Sequence, residues 1–143
     1  MSSLFVPQSI LDEMLVHAKE THPYEACGIL AGKDLQAKKL FRIRNIDNSE
    51  ATYNMEPSEQ FKALKEIKAL GIEMVAIYHS HPHSPAYPSQ IDINRAFFPG
   101  TGEESYPGVA YVIVSLAGDK PEISAFIIEK AGVQKLEISI ISD

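Results

Sequence analysis

The chain has 143 residues and a formal net charge of −6, with 45% hydrophobic and 22% charged residues. This composition is typical of one soluble globular domain, which we expect to span residues 1–143. The acidic balance argues against nucleic-acid binding and against docking on an anionic membrane. The single cysteine, Cys27, excludes an internal disulfide and a cysteine-rich zinc site.

The amino-terminal segment, residues 1–7, has neither a basic region nor a long apolar run, so it does not resemble a signal peptide. The longest apolar runs of the chain fall far short of the ~20 residues that cross a bilayer. We therefore expect a cytoplasmic protein that makes no membrane contact.

Two amphipathic helices are predicted from apolar residues that recur with the helical period. The first begins near Pro7 and ends before Pro23, because proline suits a first turn and disfavours helix in the residue before it. The second is predicted over residues 57–70 and ends at Gly71. Their apolar stripes are Ile10, Leu11, Met14, Leu15 and Ala18, and Phe61, Leu64, Ile67 and Leu70.

Short apolar or alternating runs predict six strands. The run 74–78 is continuously apolar, which is typical of a central strand. Helices and strands mix without a strict βαβ order, so we expect an α/β sandwich around a mixed sheet. The six predicted strands cover residues 26–31, 40–44, 74–78, 109–116, 123–128 and 136–140.

Two stretches are predicted to be surface loops. Residues 47–52 are polar and rich in turn-forming residues, and residues 99–108 are rich in glycine and proline. Loops of this length often flank a binding site.

Histidines cluster at the end of the predicted central strand. His79 and His81 are two positions apart, so an extended backbone places both imidazoles on one face. Asp92 follows His81 by eleven positions and can return through the proline-rich loop between them. Two imidazoles and a carboxylate form a three-ligand Zn²⁺ site whose fourth position is left for water, which is the catalytic arrangement.

Each of these residues also has an ordinary structural interpretation. Ser89 and Asp92 have the spacing of a helix N-cap and capping box, a role that is compatible with metal binding because it would hold the carboxylate rigid. A single buried histidine is usually a hydrogen-bonded core residue. His83, two residues beyond His81, is an alternative ligand, although the flanking prolines bend the chain there.

A hydrolytic zinc site needs a general base, and Glu25 differs from the other carboxylates because it leads into an apolar strand. A strand end that faces water explains this residue equally well. Cys27 lies on the same face and is interpreted as a small buried residue. A cysteine protease built on Cys27 remains an alternative on residue types alone. His17 and His22 are predicted to be surface residues.

Taken together, these residues resemble the JAMM (MPN+) zinc metalloprotease family. The family pattern is an upstream glutamate, a His-Ser/Thr-His-Pro run, seven intervening residues and a Ser-x-x-Asp run. Residues 23–32, 53–57 and 107–115 also resemble small prokaryotic members, so the likeness covers nearly the whole chain. Every spacing of the motif is kept, in Glu25, His79, Ser80, His81, Pro82, Ser89 and Asp92.

The resemblance implies a fold, a metal and a mechanism. The fold is a cytidine-deaminase-like αβα sandwich around a mixed β-sheet, and one Zn²⁺ is held by His79, His81 and Asp92. Glu25 is implied to hydrogen-bond the zinc-bound water as the general base, and Ser89 to help hold the oxyanion. The implied reaction is hydrolysis of a peptide or isopeptide bond without an acyl-enzyme.

The resemblance also implies a substrate, because small prokaryotic members are linked to ubiquitin-like sulfur-carrier proteins with a Gly-Gly tail. Such a thin, extended tail suits addition as a strand beside a sheet edge near the zinc, with loop 97–107 as one wall. The alternatives are a non-catalytic MPN-type scaffold, a peptidase for an unrelated peptide, and a related branch associated with DNA-repair loci. The sequence leaves the oligomeric state open, a homodimer included.

Overall fold

The structure, a computed structural model, describes residues 3–143. None of the helices in this range is long and apolar enough to span a lipid bilayer. In chain order the elements are β1 (Ser3–Pro7), α1 (Gln8–Thr21), β2 (Cys27–Lys33), β3 (Gln36–Ile43), α2 (Pro57–Ala69), β4 (Glu73–His81), α3 (Gln90–Arg95), β5 (Ala110–Ser115), β6 (Glu122–Glu129) and β7 (Gly132–Ile141).

The strands form one mixed sheet that closes on itself in the order β1-β3-β2-β4-β5-β6-β7. The central strand β4 pairs antiparallel with β2 and parallel with β5. Strand β1 closes the ring, because it runs parallel to β7 over its whole length and meets β3 where Phe5 lies opposite Gln36. Within residues 3–143, every strand of the sheet therefore has a neighbour on both sides.

Helices α1 and α2 cover opposite faces of this sheet. Successive residues of β4 point to alternate faces. Tyr78 packs in the same buried cluster as Met14 of α1, whereas Ile77 packs in the cluster that contains Ile67 of α2. This layering confirms the predicted αβα sandwich around a mixed sheet.

Both predicted helices are present, but the predicted apolar stripe of α2 is wrong for most of its members. Ile67 is buried, whereas Phe61, Leu64 and Leu70 are 65%, 37% and 53% exposed. A spacing of three residues falls about 60° short of a full helical turn at each step, so a row of four such residues winds halfway round the helix. Ala63 packs beside Ile67 against the sheet instead.

The six predicted strands are present, and the structure adds two elements. Strand β1 was not predicted, because its five residues also suit the approach to α1. Helix α3 begins where the sequence has the spacing of a capping box. The predicted loops 47–52 and 99–108 both lie outside the strands and helices.

Candidate metal centre and active site

The carboxyl end of β4 brings two buried histidines together. The Nε2 atoms of His79 and His81 lie 3.1 Å apart. Strand β2 runs antiparallel beside them, with Cys27 opposite His79. Glu25 precedes β2 and therefore lies at the same end of the sheet. The two-residue spacing on an extended strand thus places both imidazoles on one face, close to the candidate general base.

Helix α3 brings Asp92 to the two histidines. Its Oδ2 atom lies 3.1 Å from Nε2 of His79 and 3.0 Å from Nε2 of His81. The backbone N–H of Ser89 donates to the same Oδ2 at 2.9 Å, and the backbone N–H of Asp92 donates to Oγ of Ser89 at 3.1 Å. This capping box fixes the carboxylate while its oxygen faces the histidines.

The three atoms fit a zinc-sized cation. They lie close enough to one another to serve as ligands of one metal ion. The carbonyl oxygen of Pro85 lies 2.8 Å from Nδ1 of His81 and accepts the proton of that nitrogen, so Nε2 is the nitrogen that would bind a metal in place of its own proton. Zinc bonds of about 2.0–2.1 Å imply tetrahedral ligands about 3.3 Å apart, close to the observed separations. Three protein ligands leave a fourth position open.

The charge states of the cluster residues favour the binding of a metal ion over protonation of the carboxylate. Burial disfavours the charged form of Asp92, but hydrogen bonds from His79 and His81 outweigh it and hold the pKa of Asp92 well below its usual range. Burial lowers the pKa of His79. For His81, burial is outweighed by hydrogen bonds to Asp92 and the Pro85 carbonyl, which raise its pKa. At neutral pH the cluster offers an ionised carboxylate and a neutral His79, as metal ligation requires.

Glu25 is fully buried, and its Oε1 atom has no hydrogen-bond partner among residues 3–143. Burial raises the pKa of this carboxyl to about 8 in the metal-free protein, although the nearby charge of His81 opposes the shift. A carboxyl group whose pKa lies close to neutral pH, with one unpaired oxygen, is suited to exchange a proton with a water molecule. The structure therefore places a buried carboxyl group with an unpaired oxygen beside the cluster, and its role as general base stays a prediction.

Two other residues considered from the sequence lie outside the metal cluster. Nε2 of His83 lies 2.7 Å from Oε1 of Glu50, and both side chains are exposed. The Sγ atom of Cys27 donates to the carbonyl oxygen of Ile43 at 3.4 Å, and burial raises the pKa of the thiol to about 12. A thiol held in its neutral form is a poor nucleophile, so Cys27 is a core residue.

The prediction that His17 is a surface residue is right only in part, because the residue is half-buried. Its Nδ1 atom lies 2.7 Å from the hydroxyl of Tyr78, a core residue of β4. Burial lowers the pKa of His17 to about 4, so the imidazole is neutral at physiological pH. His17 therefore satisfies the buried tyrosine hydroxyl.

Two residues of the site were not selected from the sequence. The ring of Tyr53 stacks on the imidazole of His79, with centroids 4.5 Å apart and an interplanar angle of 25°. Arg95 follows Asp92 by about one turn of α3, and its Nη1 donates to the carbonyl oxygen of Tyr53 at 2.6 Å. The available sequence signal for Tyr53 was the likeness of residues 53–57 to family segments.

A cavity of about 320 Å³ opens beside the cluster. Tyr53 lines this cavity and also stacks on His79, so one aromatic ring separates the cavity from a residue of the cluster. Nε2 of Gln60 donates to the Tyr106 hydroxyl at 3.3 Å, which joins α2 to the loop predicted to wall the site. The lining residues are Tyr53, Asn54, Met55, Gln60, Ile77, Arg95 and Tyr106.

Comparisons with curated proteins identify several similar peptidases. The chain is 33% identical over 140 residues to a desampylase of Pyrococcus furiosus, covering 97% of this chain and 91% of that protein. It is 32% identical over 114 residues to the CysO-cysteine peptidase of Mycobacterium tuberculosis, covering 78% and 73%. It is 37% identical over 94 residues to a probable TtuB-protein conjugate cleaving protease of Thermus thermophilus, covering 65% and 63%.

The fold and the family are also shown directly. A solution structure of a protein from Desulfitobacterium hafniense matches with a TM-score of 0.82 and 34% identity, covering 97% of this chain and 93% of that one. Residues 7–128 match the family described as prokaryotic homologs of the JAB domain. These findings confirm the predicted resemblance and the predicted class of enzyme, a peptidase. The chain therefore belongs to the prokaryotic branch of the JAB, or JAMM/MPN, peptidase family.

Proposed function

We propose that this peptidase uses one Zn²⁺ to hydrolyse the bond that follows the Gly-Gly tail of a ubiquitin-like or sulfur-carrier protein. The observation that carries the proposal is the convergence of His79, His81 and Asp92 beside the buried Glu25. The relatives named for cleavage of a protein conjugate and of CysO-cysteine support this class of substrate.

In this proposal His79, His81 and Asp92 hold the metal. Bound zinc would lower the pKa of a water molecule and polarise the scissile carbonyl. Glu25 removes a proton from the attacking water and delivers it to the departing amine, so the peptide bond breaks without an acyl-enzyme. Oγ of Ser89 accepts the Asp92 N–H, which leaves its hydroxyl proton free to stabilise the carbonyl oxygen as negative charge develops.

We place the substrate tail in the cavity lined by Tyr53 and Tyr106. Addition of the tail beside a sheet edge stays a prediction, because the closed sheet joins β3 to β1 only where Phe5 lies opposite Gln36. Tyr106 does belong to the loop expected to wall the site. A cavity of about 320 Å³ is at the small end of ligand sites, which favours residues without side chains.

Metal content and cleavage are the direct tests. We expect one zinc per chain in the purified protein and its loss in His81→Ala. His83→Ala is the matched control, because it removes an imidazole two residues away that pairs with Glu50 at an exposed position. Elemental mass spectrometry measures the metal, and a wild type that holds no zinc after reconstitution would refute the proposed metal.

The substrate is tested with a carrier protein whose Gly-Gly tail is followed by one further residue. We expect cleavage after the second glycine, detected by mass spectrometry, with loss of turnover and retention of zinc in Glu25→Gln. A zinc-loaded wild type that leaves this tail intact would exclude the proposed substrate.

A further inference from the structure

The side chain of Asn45 is buried just beyond the end of β3 and uses its full hydrogen-bonding capacity. Its Nδ2 atom donates to the carbonyl oxygens of Glu25 and Thr52, each at 3.0 Å. Its Oδ1 atom accepts from the backbone N–H groups of Asp47 and Asn54, each also at 3.0 Å. One amide group therefore joins the start of β2 to both ends of the loop 47–54.

The loop 47–54 and Asn45 together hold the main chain of Glu25 from two sides. The backbone N–H of Glu25 donates to the carbonyl oxygen of Ser49 at 2.8 Å, and its carbonyl accepts from Asn45. The Oε1 atom of the side chain has no protein partner within residues 3–143. The position of the carboxyl group is therefore governed by its main chain rather than by bonds to that oxygen.

The same amide also restrains the aromatic ring beside the metal cluster. Asn45 bonds to the residues immediately before and after Tyr53, and the ring of Tyr53 stacks on His79. Loss of the Asn45 amide would loosen two sides of the site at once. The cap that holds Asp92 belongs to α3 and does not involve Asn45.

We propose that Asn45 is a positioning residue, which aims the Glu25 carboxyl by anchoring its backbone to the loop 47–54. The catalytic part of this inference rests on the proposed role of Glu25 as general base. The anchoring is a property of the folded chain and can be measured without turnover or metal.

The substitution Asn45→Asp removes the hydrogen bond to Glu25 while it keeps the bonds to the N–H groups of the loop. A carboxylate keeps both acceptor bonds to Asp47 and Asn54 but lacks the donors to Glu25 and Thr52. Asn48→Asp is the matched control, because it makes the same change in the same loop at an exposed side chain without a hydrogen bond among the described residues. Asn45→Ser is a second variant in case the buried carboxylate prevents folding, because its hydroxyl is too short to span the same partners.

Amide hydrogen exchange of the metal-free protein tests the anchor. In the wild type we expect the Glu25 amide to be protected although it precedes β2. In Asn45→Asp and Asn45→Ser its exchange should accelerate at least about tenfold, while the Ile29 amide in the middle of β2 keeps its rate. An unprotected Glu25 amide in the wild type, or equal acceleration of both amides, would overturn the anchor.

Kinetics of the zinc-loaded protein test its consequence. We expect kcat to fall about 10- to 100-fold in both Asn45 variants with KM and zinc content unchanged, and no change in Asn48→Asp. A kcat equal to that of the wild type would overturn the positioning role. A wild type that does not cleave the tail would overturn the proposed function and this catalytic part, whereas the exchange experiment decides the anchor independently.

Discussion

Ser89 and Asp92 hold each other through reciprocal hydrogen bonds, and the Asp92 oxygen in that pair is also the atom that faces the histidines. The Ser89 N–H lies 2.9 Å from Oδ2 of Asp92, and the Asp92 N–H lies 3.1 Å from Oγ of Ser89. The first turn of α3 thus sets the rotamer of a carboxylate that comes thirteen residues after His79. A local helix-capping interaction replaces the separate support that such a carboxylate otherwise needs.

Ser89→Ala should reduce both stability and turnover. Loss of the cap costs about 1 kcal/mol of unfolding free energy. Loss of the hydroxyl that faces the developing negative charge should lower kcat about 10²- to 10³-fold. Denaturant unfolding of the metal-free protein measures the first effect, and steady-state kinetics of the zinc-loaded protein measures the second.

Ser89→Thr provides the control, because threonine keeps both the capping oxygen and the hydroxyl proton. We expect it to retain most of the stability and activity. If Ser89→Ala loses stability but keeps its kcat, Ser89 acts as a helix cap without any contact to the oxyanion.

Zinc should raise the thermal stability of the wild type, because a metal that binds the folded chain shifts the unfolding equilibrium. His81→Ala should remove this stabilisation, since two ligands remain. Differential scanning calorimetry with and without excess zinc measures the effect. An equal zinc-induced shift in Tm for the two proteins would show that the metal binds elsewhere on the chain.

The stability of the metal-free protein should fall as pH rises, because of Glu25. Its carboxyl has an ordinary pKa of 4.5 and one of about 8 when folded, so the folded chain binds the proton more tightly. The stabilisation is complete below pH 4.5 and is lost as pH rises through about 8. Glu25→Gln does not titrate, so the variant should become progressively more stable than the wild type over this interval.

Urea unfolding at several pH values, with a chelator present, measures this difference. Since only the titration of Glu25 differs between the two proteins, parallel curves of unfolding free energy against pH would contradict the raised pKa.

The metal cluster could be predicted from the sequence because its geometry is local. His79 and His81 share a face through the two-residue period of a strand, and Ser89 and Asp92 form a cap that has a sequence pattern. The two pairs come together because the chain between them turns back, which the proline-rich segment allows.

Contacts that join distant parts of the chain could not be predicted in the same way. Asn45 donates to the carbonyl of Glu25, which lies 20 residues away in the sequence. No sequence pattern around either residue predicts this contact. The closure of the sheet by β1 depends on pairing with β7 at the opposite end of the chain. The prediction of the buried face of α2 is wrong because it relies on the large apolar residues, whereas the small Ala63 packs against the sheet.

Gly28→Ala should destabilise the protein and weaken metal binding. A Cβ atom at Gly28 would lie 2.2 Å from Cε2 of Tyr78 and 2.4 Å from the carbonyl oxygen of Phe41. The Phe41 oxygen is a main-chain atom of β3, which pairs with β2, so relief of this contact requires backbone movement in the sheet. Overpacking of this kind costs about 1–3 kcal/mol. Because Tyr78 directly precedes His79, we expect displacement of the Tyr78 ring to disturb this metal ligand as well.

Gly118→Ala is the matched control, because its Cβ would meet no atom closer than 3.6 Å. Denaturant unfolding should therefore show a loss of stability for Gly28→Ala and almost none for Gly118→Ala. Zinc titration should show weaker binding for Gly28→Ala alone, since the metal must draw the displaced histidine back into place. Unchanged zinc affinity together with lower stability would show that β4 yields at Tyr78 without moving His79.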